Sequence, residues 1–199
     1  KGAGDYTYAD DMHYNALGQL ESYGFHGSLR TVSFDYYDGE AGEDTSFRLR
    51  RISSSTANEF DREYSYDDTG NITQIVDSAF ADAEEGQPWP PTPVTQTHHF
   101  GYDDLDRLTS GYTVGGFRGY DDAYSYEPNG NFITFRNKPQ TYGRQAIDCP
   151  AGPLNKPHAL VAWDTDQYCY DENGNQEQRV TAGEDWDMVY DAENQLIGV

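Results

Sequence analysis

Bulky apolar residues along this chain alternate with polar ones in short bursts, and each burst ends in a polar turn. Tyr64-Ser65-Tyr66, Tyr124-Ser125-Tyr126 and Trp186, Met188, Tyr190 follow a period of two. That period places the large side chains on one face of a β-strand. The burst recurs. The chain reads YNALGQL from Tyr14, YDDTGNI from Tyr66, YDDLDRL from Tyr102, YEPNGNF from Tyr126, YDENGNQ from Tyr170 and YDAENQL from Tyr190. Two residues before each tyrosine stands another bulky side chain: Met12, Tyr64, Phe100, Tyr124, Tyr168 or Met188. A degenerate copy with a longer loop lies around Tyr37.

The fifth position of the repeat holds Gly18, Gly70, Asp106, Gly130, Gly174 and Asn194. Gly, Asn and Asp share a tolerance of positive φ. The second position holds Asn15, Asp67, Asp103, Glu127, Asp171 and Asp191, and Asp or Asn there can bond the backbone two residues on. Both preferences describe a type I turn followed by a left-handed residue, the three-residue loop of a bulged hairpin. A calcium loop would instead need acids at alternate positions and a bidentate Glu near the twelfth. After Asp171 the acids are adjacent and Ala182 stands in the twelfth place. No metal or cofactor site is therefore expected in these turns.

Each copy predicts a strand, a tight turn and a strand. A lone hairpin cannot bury its apolar face, so neighbouring copies should stack edge to edge. The tyrosines at 66, 102, 126, 170 and 190 are spaced by 36, 24, 44 and 20 residues. The two long intervals hold the Pro-rich stretches 81–93 and 143–159, which are expected to leave the sheet as loops. The expectation is one all-β repeat region over 1–199.

Composition narrows the function. Tyr numbers 17 against 9 Phe and hydrophobic residues make up 36%, so aromatic rings must supply much of the packing. The formal charge of −22 repels phosphate backbones and anionic lipid, which argues against nucleic acid and membrane surfaces as partners. No apolar run is long enough to span a bilayer. The chain begins at Lys1 rather than Met, so a piece of a longer or processed protein is expected. Cys149 and Cys169 can form one disulfide in an oxidising compartment or stay as two free thiols.

From about Met12 to Val199 the chain resembles the RHS or YD-repeat family, which takes its name from this Tyr-Asp pattern. Residues 156–199, with Pro157-His158-Ala159, the YDENGN turn and the YDAEN turn, look like the last repeats before the core-associated region of bacterial members. The resemblance implies a β-sheet that spirals into a hollow shell. Such shells enclose a toxin in bacterial toxin complexes and belong to adhesion proteins in animal teneurins. An extracellular or cell-surface location follows from it. The chain stops before the region where the family places its self-cleaving aspartates and its toxin, so the resemblance implies neither activity. Six or seven copies are too few to close a shell. The segment is then an arc of a larger one, or it joins other chains through its open sheet edges.

The remaining candidates are weaker. His98 and His99 should point to opposite faces of a strand, and His13, His26 and His158 lack partners at ligand spacing. His158 is expected to brace the loop at 143–159. Abundant acids alone do not make a hydrolase. Asn71-Ile72-Thr73 is a glycosylation sequon. Trp89, on the Pro-rich loop, is either a platform for a glycan or partner or a cap over the sheet's aromatic face. A non-catalytic scaffold is thus the leading expectation, and a glycan- or cell-surface-binding adhesion module the alternative.

Overall fold

The computed structural model describes residues 9–25, 30–39, 44–55, 60–80, 93–116, 119–146, 148–182 and 184–199. All its described regular structure is β. The chain divides into two compact units, 1–121 and 122–199.

In the first unit β1 (Ala9–Tyr14), β2 (Leu20–Phe25), β3 (Arg30–Tyr36), β4 (Leu49–Ser54), β5 (Asp61–Tyr66), β6 (Ile72–Phe80), β7 (Pro93–Tyr102) and β8 (Leu108–Gly115) lie side by side in chain order, and β9 (Asp121–Ala123) ends that sheet. In the second, a seven-stranded sheet runs β10 (Ser125–Tyr126), β11 (Phe132–Phe135), β12 (Lys138–Arg144), β13 (Asn155–Trp163), β14 (Asp166–Tyr170), β15 (Gln176–Thr181) and β16 (Glu184–Asp187). A final hairpin joins β17 (Val189–Tyr190) to β18 (Leu196–Gly198). Strand order follows chain order throughout, so each sheet is an antiparallel meander of hairpins.

One register recurs in these hairpins. The repeat tyrosine faces the seventh residue of its own copy: Tyr14 faces Leu20, Tyr66 faces Ile72, Tyr102 faces Leu108, Tyr126 faces Phe132, Tyr170 faces Gln176 and Tyr190 faces Leu196. The next residue of the second strand has no opposite number. Ser65, for example, faces Gln74, leaving Thr73 as a bulge. The bulge comes on top of the left-handed turn residue, and together they twist each hairpin sharply at its turn end.

Two copies sit differently from the sequence expectation. In the degenerate copy it is Tyr36, rather than Tyr37, that faces the first residue of the return strand, Leu49. Phe47 takes the turn position with a φ of 54°. Tyr142 faces Leu160 with the same bulge beside it, which makes β12 and β13 a further hairpin of this kind. The sequence hides it because ten residues lie between the two strands. β13 also begins at Asn155 and contains Pro157, so the loop is shorter than 143–159. The strand accommodates proline because Pro157-His158-Ala159 bulge out between the pairs Gly143–Lys156 and Tyr142–Leu160, and a bulge needs no ladder donor. Of the other expected loop, 81–92 falls outside the described residues, and Pro93 begins β7.

All six fifth-position residues have positive φ: 80° at Gly18, 105° at Gly70, 58° at Asp106, 93° at Gly130, 95° at Gly174 and 59° at Asn194. The second residue's carbonyl accepts the fifth residue's amide, as in Gly174 to Asp171 at 3.1 Å. Its own N–H donates to the sixth carbonyl, as in Asp171 to Asn175 at 2.9 Å. These bonds define the three-residue hairpin loop.

Burial is thin. Among the described apolar residues, Val32, Cys149, Val161, Tyr168 and Cys169 are buried, and no described side chain is wholly enclosed. The sheets depend on cross-strand pairs instead, including the ion pair of Arg62 with Asp77 at 2.8 Å and the tilted ring pair Tyr126–Phe132 at 4.8 Å between centroids.

Replacing Gly174 with Val is expected to destabilise the protein by at least about 1 kcal/mol, since a β-branched residue resists positive φ. The site is spacious, the nearest atom to an added Cβ being Lys156 Nζ at 3.8 Å, so the loss comes from the backbone. Urea unfolding with and without a chelator checks this: the midpoint should fall in the variant and ignore the chelator.

Candidate functional site

The densest polar chemistry lies along the turn-bearing rims of the sheets. In five of the six copies the second residue folds its carboxylate or amide back over its own turn, while in the Tyr126 copy Asn129 Oδ1 accepts the Asn131 amide at 3.1 Å. Asp67 Oδ1 accepts from the amides of Thr69, Gly70 and Asn71 at 3.1, 2.8 and 2.8 Å. Asp103, Asp171 and Asp191 cap their turns in the same way, as does the amide oxygen of Asn15. The sixth residue closes the arrangement from its side chain: Asn71, Arg107 and Asn175 donate to Asp67, Asp103 and Asp171 at 3.0, 2.8 and 2.8 Å.

These bonds favour the ionised acids. Desolvation pushes the Asp67 carboxyl up, but the donors from Asn71, Thr69 and Gly70 outweigh it and hold the group at about 2. Arg107 holds Asp103 below its usual value through its side chain and its amide. Asp171 is also lowered, because the Asn175, Gly174 and Asn173 donors overcome its desolvation.

Neighbouring turns are tied to one another. Asp106 Oδ1 accepts from Asn71 Nδ2 at 2.7 Å and from Thr69 Oγ1 at 3.0 Å. Asn194 Oδ1 accepts from Asn175 Nδ2 at 2.9 Å. Gln19 reaches the Phe47 carbonyl at 2.8 Å. In these three pairs the sixth residue of one copy bonds the fifth residue of the next, and Asp106 and Asn194 supply side-chain acceptors that glycine lacks; the sixth-position Arg48 instead donates to the Asp67 carbonyl at 2.8 Å. Engagement of Asn71 Nδ2 also covers the sequon nitrogen.

The repeat tyrosines make the second tie. In five copies the hydroxyl donates to the seventh-position carbonyl of the preceding hairpin: Tyr36 to Leu20 at 3.0 Å, Tyr66 to Leu49 at 2.9 Å and Tyr102 to Ile72 at 2.9 Å. Tyr170 reaches Leu160 at 2.8 Å, and Tyr190 reaches Gln176 at 3.0 Å. Burial raises the Tyr66, Tyr102 and Tyr170 hydroxyls above their ordinary pKa. Tyr14 and Tyr142 differ: the Tyr14 hydroxyl meets Met12 Sδ of its own strand at 3.7 Å, and the Tyr142 hydroxyl donates to Gln140 Oε1 of its own strand at 2.6 Å.

The other candidates resolve individually. His98 and His99 find different rings: His98 Nδ1 lies 3.2 Å from the Tyr120 hydroxyl, and His99 stacks on Tyr112 at 4.7 Å. His158 Nδ1 lies 2.9 Å from Asn131 Oδ1, while Asn131 Nδ2 donates to the Pro157 carbonyl at 2.9 Å. The 157–159 bulge is braced in this way against the Glu127–Asn131 turn. Cys149 and Cys169 are joined in a disulfide with Cα atoms 5.4 Å apart, a bond that persists in oxidising surroundings. Trp89 and His26 lie outside the described residues.

Gln145 escaped the sequence reading. It is 3% exposed. Its Nε2 donates to the carbonyls of Gly152 and Tyr170 at 2.6 and 3.0 Å, and its Oε1 accepts from the Tyr170 amide at 2.9 Å. One side-chain amide thereby replaces a strand partner beside the disulfide. Nothing in the local sequence singles it out.

Between the Asp67 and Asp103 turns lies a cleft of about 470 Å³, lined by Asp67, Thr69, Thr73, Phe100, Gly101, Tyr102, Asp103, Asp104 and Asp106. Asp67, Asp103 and Asp106 already hold the turns together. Among the described residues no three His, Cys, Asp or Glu side chains are grouped to hold a metal. No protein-family model and no curated protein matches the chain.

Two outcomes are expected. Tyr102→Phe removes the donor to the Ile72 carbonyl and should destabilise by about 1–2 kcal/mol. Tyr14→Phe should change stability by less than about 0.5 kcal/mol. Thermal melts of both variants decide. Acid supplies the second. The Asp67 pKa is depressed from 3.8 to about 2 in the folded chain. Its contribution is therefore complete above about pH 4 and is lost as pH falls towards 2. Asp67→Asn keeps an acceptor oxygen, as Asn15 does, and should lose less stability than wild type between pH 5 and 2. Equal losses in urea titrations would contradict the role of Asp67.

Proposed function

We propose that this chain is a non-catalytic scaffold: a YD-repeat segment of a secreted or cell-surface protein whose sheet encloses or displays other polypeptide. One observation carries it: the bond from five of the repeat tyrosines, Tyr36, Tyr66, Tyr102, Tyr170 and Tyr190, to the preceding hairpin. A fold whose recurring polar residues bind its own next copy is a fold for extending a wall. The acids belong to the same construction, since the second-position carboxylates hold turns. The Cys149–Cys169 disulfide supports an oxidising compartment, and with it an extracellular location. The Tyr-Asp pattern resembles that of RHS shells, and in this reading the sheet curls into such a wall.

Electron microscopy of the native parent particle tests the proposal. A hollow shell or fibre whose wall is one sheet thick is the expected result. A parent in which these strands are packed face to face inside a compact enzyme domain would overturn it.

A further inference from the structure

Successive hairpins separate near their turn ends, and the gap is filled differently from one junction to the next. At three junctions the ladder ends three residues before the repeat tyrosine: at Arg51–Glu63 ahead of Tyr66, at Gln74–His99 ahead of Tyr102 and at Ala162–Gln167 ahead of Tyr170. The turn sets which way the freed backbone points. The N–H and C=O of Asp103 and of Asp171 both bond within their own hairpins, and successive residues of a strand aim these groups to opposite sides. Tyr102 and Tyr170 therefore turn theirs toward the preceding hairpin.

Two of the three gaps are occupied by the chain itself. Beside Tyr170 the Gln145 carboxamide takes the backbone N–H and C=O at 2.9 and 3.0 Å. Beside Tyr66 the Arg48 guanidinium lies 5.5 Å from the ring centroid and donates to the Asp67 carbonyl at 2.8 Å. Ahead of Tyr102 the repeat carries Asn71 where the Tyr66 junction has Arg48, and Asn71 turns aside to Asp67 and Asp106 at 3.0 and 2.7 Å. Among the described residues no side chain bonds the Tyr102 amide or carbonyl. This third gap is the cleft of about 470 Å³ between the Asp67 and Asp103 turns.

Its walls select a cation with a flat face. Phe100 and Tyr102 supply the rings, and Asp103, Asp104 and Asp106 the carboxylates. Arg107 pairs with Asp103 at 2.7 Å, which leaves Asp104 and Asp106 as the acids without a cation beside them among the ion pairs described. The turn requires neither as an acid, since the Tyr190 copy builds it with Ala192 and Asn194 at the same places.

We propose that this cleft binds an arginine side chain presented by another polypeptide. Its guanidinium stands to the Tyr102 ring and the Asp103 carbonyl as Arg48 stands to the Tyr66 ring and the Asp67 carbonyl. Asp104 and Asp106 are the counter-charges, and Phe100 covers the aliphatic stem. A guanidinium stacks on a ring and donates from a planar fork, which a lysine ammonium cannot do. The inference rests on the scaffold reading, since it names a chemistry of the polypeptide that the wall encloses or displays.

Nuclear magnetic resonance titration of the whole chain at physiological salt tests it. The probe is the peptide acetyl-Gly-Gly-Arg-Gly-Gly-amide, with its lysine counterpart for comparison. The arginine peptide should shift the amide signals of Gly101 to Asp106 most, and bind about five-fold tighter than the lysine peptide. Asp104→Ala with Asp106→Asn gives this turn the third and fifth residues of the Tyr190 copy, so the hairpin keeps its geometry. That variant should bind about ten-fold more weakly, having lost two counter-charges. Glu184→Gln with Asp185→Asn removes the same charge from the second unit and should leave affinity within about two-fold. Equal binding of the two peptides overturns the inference, and so does an equal loss in the two variants. It also fails if the arginine peptide does not bind or shifts signals only outside the cleft. Such failures leave the scaffold reading standing, since that depends on the parent particle in micrographs.

Discussion

The structure depends on a hydrogen bond between a tyrosine hydroxyl and a carbonyl that a β-bulge has set loose. The bulge at the eighth position breaks the ladder between one hairpin and the next near the turn end. In β6 and β7, for instance, pairing stops at Gln74 and His99, and Ile72 has no strand partner on that side. A backbone carbonyl left so would carry a desolvation cost. The Tyr102 hydroxyl meets it at 2.9 Å, and the same ring supplies the apolar area that the bulge would otherwise expose. One residue type satisfies the carbonyl and covers the gap. Phenylalanine could do only the second, which explains tyrosine at positions 36, 66, 102, 170 and 190.

The acids are the counterpart at the turn. A three-residue loop leaves several amide hydrogens pointing inward at its mouth. A carboxylate at the second position collects them, as Asp67 does with three. The resulting stabilisation of the charged form lets the rim carry many carboxylates close together. Four carboxylates, Asp67, Asp103, Asp171 and Asp191, are thereby explained by turn chemistry and need not imply a cationic ligand.

The hairpins and their turn residues were legible in the sequence because both leave local marks: a period of two, and Gly, Asn or Asp where φ is positive. The Tyr142 copy was not, since its turn is replaced by an insertion and its return strand holds Pro157. Tyr37 drew attention over Tyr36 because the following Asp38-Gly39 imitates the repeat, whereas the register is fixed at Leu49. The bulges leave no mark either. Their residues range from Glu21 through Thr73 to Ile197, and only pairing with the opposite strand identifies them. The ties between copies were equally hidden. That Asp106 and Asn194 accept from the previous copy's asparagine is a property of two turns brought side by side, and no window of one copy contains it.

Local ties of this kind make stability a matter of neighbours. Each described tie joins adjacent hairpins, and few side chains are buried deeply enough to couple distant ones. The free energy then approximates a sum of hairpin terms and junction terms. Cutting one junction costs that junction and little else, so damage stays local. The converse explains the extra fastening around Tyr170. There the insertion in the Tyr142 copy removes a regular turn, and with it the turn-to-turn contact that neighbouring copies use. The Cys149–Cys169 bridge and the buried Gln145 amide lie at that place. A covalent bond and a side-chain strand partner occupy the junction where the repeat's own chemistry is interrupted.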